Sequence, residues 1–579
     1  MRARTLAPLV AAATLALPAA AQAAVRCVGT SGGDCTTTHA NTADALAAAV
    51  DGVDTIRFGP GTFDPVNTTK VLTFVGAGAG TPDSAAGATV LQATTVGDPG
   101  MGLLSGGTVR TLRAVGGPGQ TSPGFSAGGT GIEFSPMANG DMSLDLTDVI
   151  AVGGGAVVSP GAGLATGVTG TPTGTKVATV TRGAVLSGSG GVGSLALYTC
   201  CLELTLKDTL IRSSGGAGMY ASIGSRTTLD GSTVEATDAI QTQAPTSLTV
   251  RRTRLTGTYR GLSISSDSSA PTATDVSVRN SLVTAGSDSA AGLAAAQIQS
   301  NGSRPVNFSA LGSTFIARGN TMAAVYATRT ADGSPPLTAT LRNSIARVQG
   351  TGTDLWADRA PIGADFSSFT TRKLENGGTA PEPGSASNVA GDPMLAADYS
   401  LQPGSPLIDR GDPSVLLPGE LDLAGAARSQ DGTGDCVAVP DIGAFERPDT
   451  CPIPPNVPPV LSKVSATNRV FAPVARRTAH AAVHRRRVKR GTRFRYTLSE
   501  AARVRIRIER VIRRRGDTRY RKVTVLVANK QAGRQSTRFT GRVRRKALKP
   551  GRYRARLVAT DAGGLKSRER RLKLRIVRP

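Results

Sequence analysis

Large rings and histidines are what this chain has least of. Phe, Tyr and Trp together make up 4% of 579 residues, with one Trp, and histidine occurs only at His39, His480 and His484. A core built around big aromatics is therefore excluded. The abundant Gly (70 residues), Ala, Ser and Thr instead suit a repetitive β architecture of stacked small and β-branched side chains. Few histidines beside six cysteines leave too few ligands at metal spacing for a zinc site, so no metal is expected. Long apolar runs are also missing beyond the N-terminus, and no transmembrane segment is expected. The start, "MRARTLAPLVAAATLALPAAAQAA", has Arg2 and Arg4, an apolar stretch from Leu6 to Leu17, and the small-x-small site Ala21-Gln22-Ala23. It reads as a secretory signal peptide over residues 1–24, which implies a secreted, extracellular protein.

In an exported chain the six cysteines favour disulfides. Cys27 with Cys35, and Cys436 with Cys451, are close enough in sequence to pair locally. Cys200 and Cys201 are adjacent, and either a vicinal bridge or two thiols fits that spacing.

Charge divides the chain. From residue 456 onward there are 39 Lys and Arg against 5 Asp and Glu, a net of +34, which leaves −8 for the rest of a total of +26. Between the parts lies "RPDTCPIPPNVPPV", Arg447 to Val460, whose prolines prevent regular structure. The expected organisation is a β domain over 25–448, a Pro-rich linker over 449–462, and a basic module over 463–579.

The larger part repeats an eight-residue pattern, apolar-x-apolar-x-x-[Ser/Thr]-x-apolar. It occurs as "LTLKDTLI" from Leu204, "LTVRRTRL" from Leu248, "VSVRNSLV" from Val276 and "ATLRNSIA" from Ala339. "TTLDGSTV" from Thr227 and "SALGSTFI" from Ser309 depart only at the first position, and weaker copies start at Leu144 and Ala178. Alternation of period two marks strands, and the break before Ser/Thr marks a turn. Irregular spacing of two to three dozen residues predicts one coil of a parallel β-solenoid per repeat. The sixth position (Thr209, Ser232, Thr253, Ser281, Thr314, Ser344) is expected to face inward. The Thr-rich second position faces outward, but the charged fourth position rules out a flat ice-binding array.

"NTADALAAAV" from Asn41 predicts a short helix capped by Asn41 or Thr42, followed by a strand and turn in "DTIRFGPGTF". With that helix, "ADALAAAVDGVDTIRFGPGTF" resembles the start of secreted bacterial right-handed parallel β-helix proteins of the pectate-lyase-like superfamily. "DPMLAADYSLQPGSPLIDRGDP" (Asp392 to Pro413), "LDLAGAARSQDGTGDC" (Leu421 to Cys436) and "DIGAFE" (Asp441 to Glu446) resemble the choice-of-anchor Q region that closes β-helices in surface proteins. The resemblance implies an all-β right-handed parallel β-helix in an extracellular setting, and no particular reaction.

Lyases on that fold use an Arg or Lys base and acids that hold Ca2+, while hydrolases use clustered aspartates with a histidine. Neither pattern is intact, so catalytic residues stay unassigned and Ca2+ would be expected only for a lyase. The best cluster is Lys207, Asp208, Asp230, Arg251 and Arg279 on adjacent coils. It reads first as a salt-bridge ladder and second as a groove for an acidic glycan, with Trp356 and Tyr259 as stacking platforms. Asp409, Arg410 and Asp412 in "LQPGSPLIDRGDP" are expected to hold closing turns and one another.

In the basic part, "RVRIRIERV" alternates Val504, Ile506 and Ile508 with Arg503, Arg505 and Arg507. "GRYRARLVATDAGG" and "RRLKLRIVRP" repeat the scheme, predicting a β-sandwich of about half a dozen antiparallel strands. The stretch "PGRYRARLVATDAGGLKS" resembles the last hairpin of bacterial immunoglobulin-like or fibronectin-III-like modules. Its charge must attract envelope polyanions, whereas no motif for specific nucleic-acid reading is present. The leading expectation is a non-catalytic surface protein that binds polysaccharide. The rivals are a polysaccharide lyase or glycoside hydrolase, and a passive spacer.

Overall fold

The computed structural model describes residues 23–118, 129–136, 138–155, 161–168, 173–189, 194–266, 272–287, 292–301, 304–330, 335–448, 457–474, 488–514, 517–544 and 546–578. Nearly all of the expected signal peptide, the first half of the linker, and Cys451 fall outside them. The chain forms two compact units that divide between Cys451 and Pro452.

The first unit is almost entirely β, with long parallel sheets consistent with a β-helix. One sheet has 14 strands and the other 21. Successive strands of the 14-stranded sheet pair in parallel, and from Thr55–Phe58 onward each is separated from the next in sequence by strands of the other sheet. Within the 21-stranded sheet two strand series run side by side, and the long strands Thr233–Thr242 and Arg254–Ser266 belong to both. Inward residues (Leu204, Leu206, Leu229, Val250, Val278, Ile211, Val234 and their counterparts on other rungs) make one continuous buried core. The short helix Thr42–Ala48 has Asn41 as N-cap, its side chain accepting the Asp44 amide. Its last carbonyls are held by Lys70 Nζ, 2.8 Å from Leu46 O and 2.7 Å from Ala49 O.

Parallel pairing puts the eight-residue repeats in register: Leu144, Ala178, Leu204, Thr227, Leu248 and Val276 lie side by side. The next partner of Val276 is Phe308, not Ser309, so this copy reads "FSALGSTF" and its sixth residue is Ser313. The placement of Thr314 in that column is therefore corrected. Phe308 is 1% exposed and fills the core, whereas Ser309 points out; burying the ring decides the register. A further copy, "IGADFSSF" from Ile362, follows Ala339 in the same register.

Position five of each repeat is the turn. Asp208, Arg252, Asn280 and Asn343 all have φ between 46° and 50°, the left-handed conformation that Asn, Asp and Gly tolerate best. Position six then supplies the missing partners. The amide of Thr209 donates to Ser232 Oγ (3.2 Å), Ser232 to Thr253, Thr253 to Ser281, Ser281 to Ser313, Ser313 to Ser344, and Ser344 to Ser367. The hydroxyls in turn donate to the carbonyl two residues back, as from Ser344 to Arg342 O at 2.8 Å. A buried turn thus leaves no amide of this series unpaired.

Residues 392–447 carry little regular structure and run back beside these turns. Asn343 Oδ1 accepts the Asp412 amide (2.8 Å), its Nδ2 donates to Asp412 O (3.0 Å), and Arg342 pairs with the Asp412 carboxylate. Farther back, Arg279 and Asn280 Nδ2 both hold Glu420. Arg428, 1% exposed, donates to Gly443 O and Asp441 O, both at 2.9 Å, and pairs with Glu446. Asp409 accepts the amides of Gly432 (3.1 Å) and Thr433 (2.8 Å), so it holds a turn as expected. Arg410 is exposed and does not bridge Asp409 and Asp412, which corrects the expectation that the three hold one another.

Disulfides join Cys27 to Cys35 and Cys200 to Cys201, and Cys436 is also disulfide-bonded. No helix among the described residues is long and apolar enough to cross a membrane.

The second unit contains a three-stranded and a five-stranded sheet, mostly antiparallel. Phe494, Tyr496, Leu498 and Phe539 of the smaller sheet share one buried core with Val504, Ile506, Ile508, Leu557 and Leu574 of the larger. The Arg503/Arg505/Arg507 alternation is realised in the strand Ala502–Arg514, which is longer than the sequence suggests.

Candidate functional site

Positions four and five of the repeat place the predicted charged residues along one edge of the 14-stranded sheet. Lys207, Asp230, Arg251 and Arg279 are direct cross-strand neighbours in that order, and Asp208 sits at the turn beside them. Asp230 is held by two guanidinium groups, Arg251 at 3.2 Å and Arg252 at 2.7 Å. Arg279 is engaged by Glu420, and its Nη2 donates to Val415 O at 2.9 Å. Burial alone pushes Glu420 up, but hydrogen bonds from Arg279, the Leu417 amide and Asn280 hold it below the ordinary carboxylate range. Three of the five predicted residues, Asp230, Arg251 and Arg279, are thus committed to ion pairs, while Lys207 and Asp208 are exposed. Among the described residues no trio of His, Cys, Asp or Glu is placed to hold a metal ion.

A different surface gathers aromatic and amide side chains. In the outer series of the 21-stranded sheet, Tyr198, Tyr220, Gln241, Ser263, Gln297, Tyr326, Trp356 and Lys373 are successive cross-strand partners. Parallel register puts them in one outward column, and six steps of about 4.8 Å carry it roughly 29 Å from Tyr198 to Trp356. At one end the Tyr198 and Tyr220 rings stack, centroids 6.1 Å apart and planes 10° apart. At the other, Tyr326 and Trp356 lie 4.5 Å apart with Lys373 Nζ 3.8 Å above the indole. The four rings are half-buried. Between the aromatic pairs lie Gln241 and the buried Ser263 and Gln297, 6% and 9% exposed.

Two of the rings are also held by hydrogen bonds. Tyr220 donates its hydroxyl to Gln243, and Trp356 Nε1 donates to Glu375 at 3.0 Å. Arg260, paired to Asp238 at 2.8 Å, reaches Gln297 Oε1 at 3.2 Å and forms a polar rim. Aromatic rings beside amides, hydroxyls and a guanidinium are chemically suited to a pyranose, which has an apolar C–H face and a hydroxylated edge. The expected platform Trp356 belongs to this column. Tyr259, exposed and beneath Arg260, lies outside it.

Sequence reasoning singled out Trp356 and missed Tyr198, Tyr220 and Tyr326. A signal was present: Leu197-Tyr198-Thr199, Met219-Tyr220-Ala221, Val325-Tyr326-Ala327 and Leu355-Trp356-Ala357 share the order apolar, aromatic, small. The flanking residues are buried and the ring alone turns outward. No protein-family model matches this chain, and no curated protein sequence matches it.

Proposed function

We propose that this is an exported, non-catalytic cell-surface protein whose first unit binds a linear polysaccharide along the Tyr198-to-Trp356 column. In this reading the first unit is a right-handed parallel β-helix of the pectate-lyase-like kind, closed by a choice-of-anchor Q type region. The second is an immunoglobulin- or fibronectin-III-like β-sandwich whose charge keeps the protein on an anionic envelope. The apolar and basic N-terminal stretch and the disulfides support export.

The single observation that carries the binding reading is the column itself. Aromatic pairs stand at both ends of a polar stretch, on a scaffold of paired parallel strands. A rigid, preformed strip of this kind suits an extended chain of sugars, because little conformational freedom is lost on the protein side. The charged edge around Asp230 supports binding less well, since its charges already satisfy one another.

The test is a glycan array followed by calorimetry with the full chain. A soluble linear glycan is expected to bind, and Tyr220→Ala and Trp356→Ala are each expected to weaken it about 10-fold, in line with the loss of one stacked ring. Binding unaffected by both substitutions would sink the site. Release of reducing or unsaturated sugars, abolished by Asp230→Ala, would favour the lyase or hydrolase reading instead.

A further inference from the structure

In the second unit, strand register arranges the arginines into a lattice on the outer face of the five-stranded sheet. Arg503, Arg505 and Arg507 alternate with buried Val504 and Ile506, so they share that face. Arg507 lies opposite Arg556, which lies opposite Arg571. One step along, Glu509 faces Arg554 and Arg554 faces Lys573; a further step pairs Arg552 with Arg575. Neighbouring cations are thus about 4.8 Å apart across strands and roughly 6.8 Å apart along them.

Two carboxylates sit in the middle of this lattice. Glu509, 2% exposed, is shared by Arg507 (2.9 Å), Arg554 (2.5 Å) and Arg556 (3.7 Å). Glu569 takes Arg556 and Arg571. These acids brace the central guanidinium groups upright and neutralise only part of their charge. Among the described residues, Arg503 and Arg505 at one corner, and Arg552, Lys573 and Arg575 at the other, make no ion pair. The cationic side chains therefore run as a diagonal track, about 27 Å long at the strand repeat and carried mainly by three strands, with Lys522 of a fourth strand opposite Glu509.

We infer that this track is the docking surface for a linear phosphodiester-linked polymer. The inference rests on the proposed envelope retention and names the surface and chemistry that perform it. Charge complementarity selects a polyanion. The narrow, elongated track selects a linear one, since a bilayer would meet the whole face. Guanidinium in nearly every position selects phosphate, whose two non-bridging oxygens each accept from a planar fork and which stays anionic across the physiological pH range. Charges carried in the polymer backbone can follow a flat lattice, whereas pendant carboxylates must first immobilise their stems.

The experiment measures retention of the full chain on immobilised poly(glycerol phosphate) as salt is varied. The variant Arg505→Gln/Arg552→Gln/Lys573→Gln/Arg575→Gln is compared with Arg493→Gln/Arg495→Gln/Arg534→Gln/Arg538→Gln, which removes equal charge from the three-stranded sheet. All eight positions lie at the surface, and circular dichroism checks that both variants fold. The first variant is expected to lose at least 10-fold in affinity at physiological salt, with the salt slope shallower by about 2–3, while the second loses less than 3-fold. Equal losses would overturn the docking face and leave general electrostatic retention standing. No retention of the wild type would overturn both readings. Equal, face-dependent retention on poly-L-glutamate would overturn the choice of phosphate, and stronger face-dependent binding to phosphatidylglycerol vesicles would overturn the choice of a polymer. Poly(glycerol phosphate) carries no sugar ring, so failure of the Tyr198-to-Trp356 column would leave this result unchanged.

Discussion

The Ser313 amide donates to the Ser344 hydroxyl across 3.2 Å, and that hydroxyl in turn donates a hydrogen bond to Arg342 O. One side chain therefore closes two backbone accounts on different rungs, which is why Ser or Thr recurs at this position and Ala does not. Ser344→Ala is expected to destabilise the first unit by about 1–2 kcal/mol, because it orphans a buried amide. Ser344→Thr should be tolerated, since Thr209 and Thr253 occupy the same column. Ser309→Ala, on the solvent side of the neighbouring rung, should stay within about 0.5 kcal/mol. Urea unfolding followed by circular dichroism separates the three. A large effect at Ser309 would contradict the register set by Phe308.

Glu420 links the closing segment to a turn 141 residues earlier in sequence. Glu420→Ala is expected to cost about 2 kcal/mol, because it strands a largely buried guanidinium and the Asn280 amide together. The double change Glu420→Ala/Arg279→Ala should cost less than the sum of the singles. Additive losses in a double-mutant cycle would mean that the pair is not coupled.

Asp409→Ala removes the acceptor for two turn amides and should lower stability by about 1–2 kcal/mol. Glycan affinity of the folded fraction should not change, because the residue is remote in register from the aromatic column. A selective loss of affinity at unchanged stability would point to a binding role for the segment.

Asp441 gives the closing segment a pH signature. Burial pushes its carboxyl up to about 6 from an ordinary value of 3.8, against the pull of the Asp409 and Arg447 amides. The folded chain therefore holds an extra proton between those values. Stability from this group is complete below about pH 4 and falls as pH rises to about 6, by at most roughly 3 kcal/mol. Asp412 and Glu420, both held low, act oppositely and lose their contribution only below about pH 4. Asp441→Asn should lower stability overall, since one of its two amide contacts is lost, while flattening the slope between pH 4 and 6. Thermal melts of the two proteins across that window check this; parallel curves would rule it out.

Local periodicity made the strands, the inward Ser/Thr column and the short helix legible, because each repeat buries the same positions. The register slipped at one copy because Ser309 and Phe308 both fit a loose first position, and only the burial of a phenylalanine ring chooses between them. The aromatic column was harder to see. Its members lie on strands separated by loops of unequal length, and they become neighbours only once parallel pairing is in place. The partner of Arg279 was invisible for a different reason: no local rule couples a repeat to an acid in an irregular segment far downstream. Asp409 was read correctly as a turn holder, since "PGSPLIDRGDP" is dense in turn residues and each carboxylate finds an amide nearby.

The path of the closing segment also has a mechanical consequence. A stack of parallel rungs would ordinarily peel from its open end one strand at a time, each step breaking a single row of bonds. Here the strap doubles back and is bolted to several earlier turns, through Asn343, Arg342, Asn280 and Arg279. A tug on the chain beyond Glu446 must shear these anchors together before the last rung can open. The load is shared lengthwise along the stack, so a protein anchored through its basic end would resist being unravelled from that end.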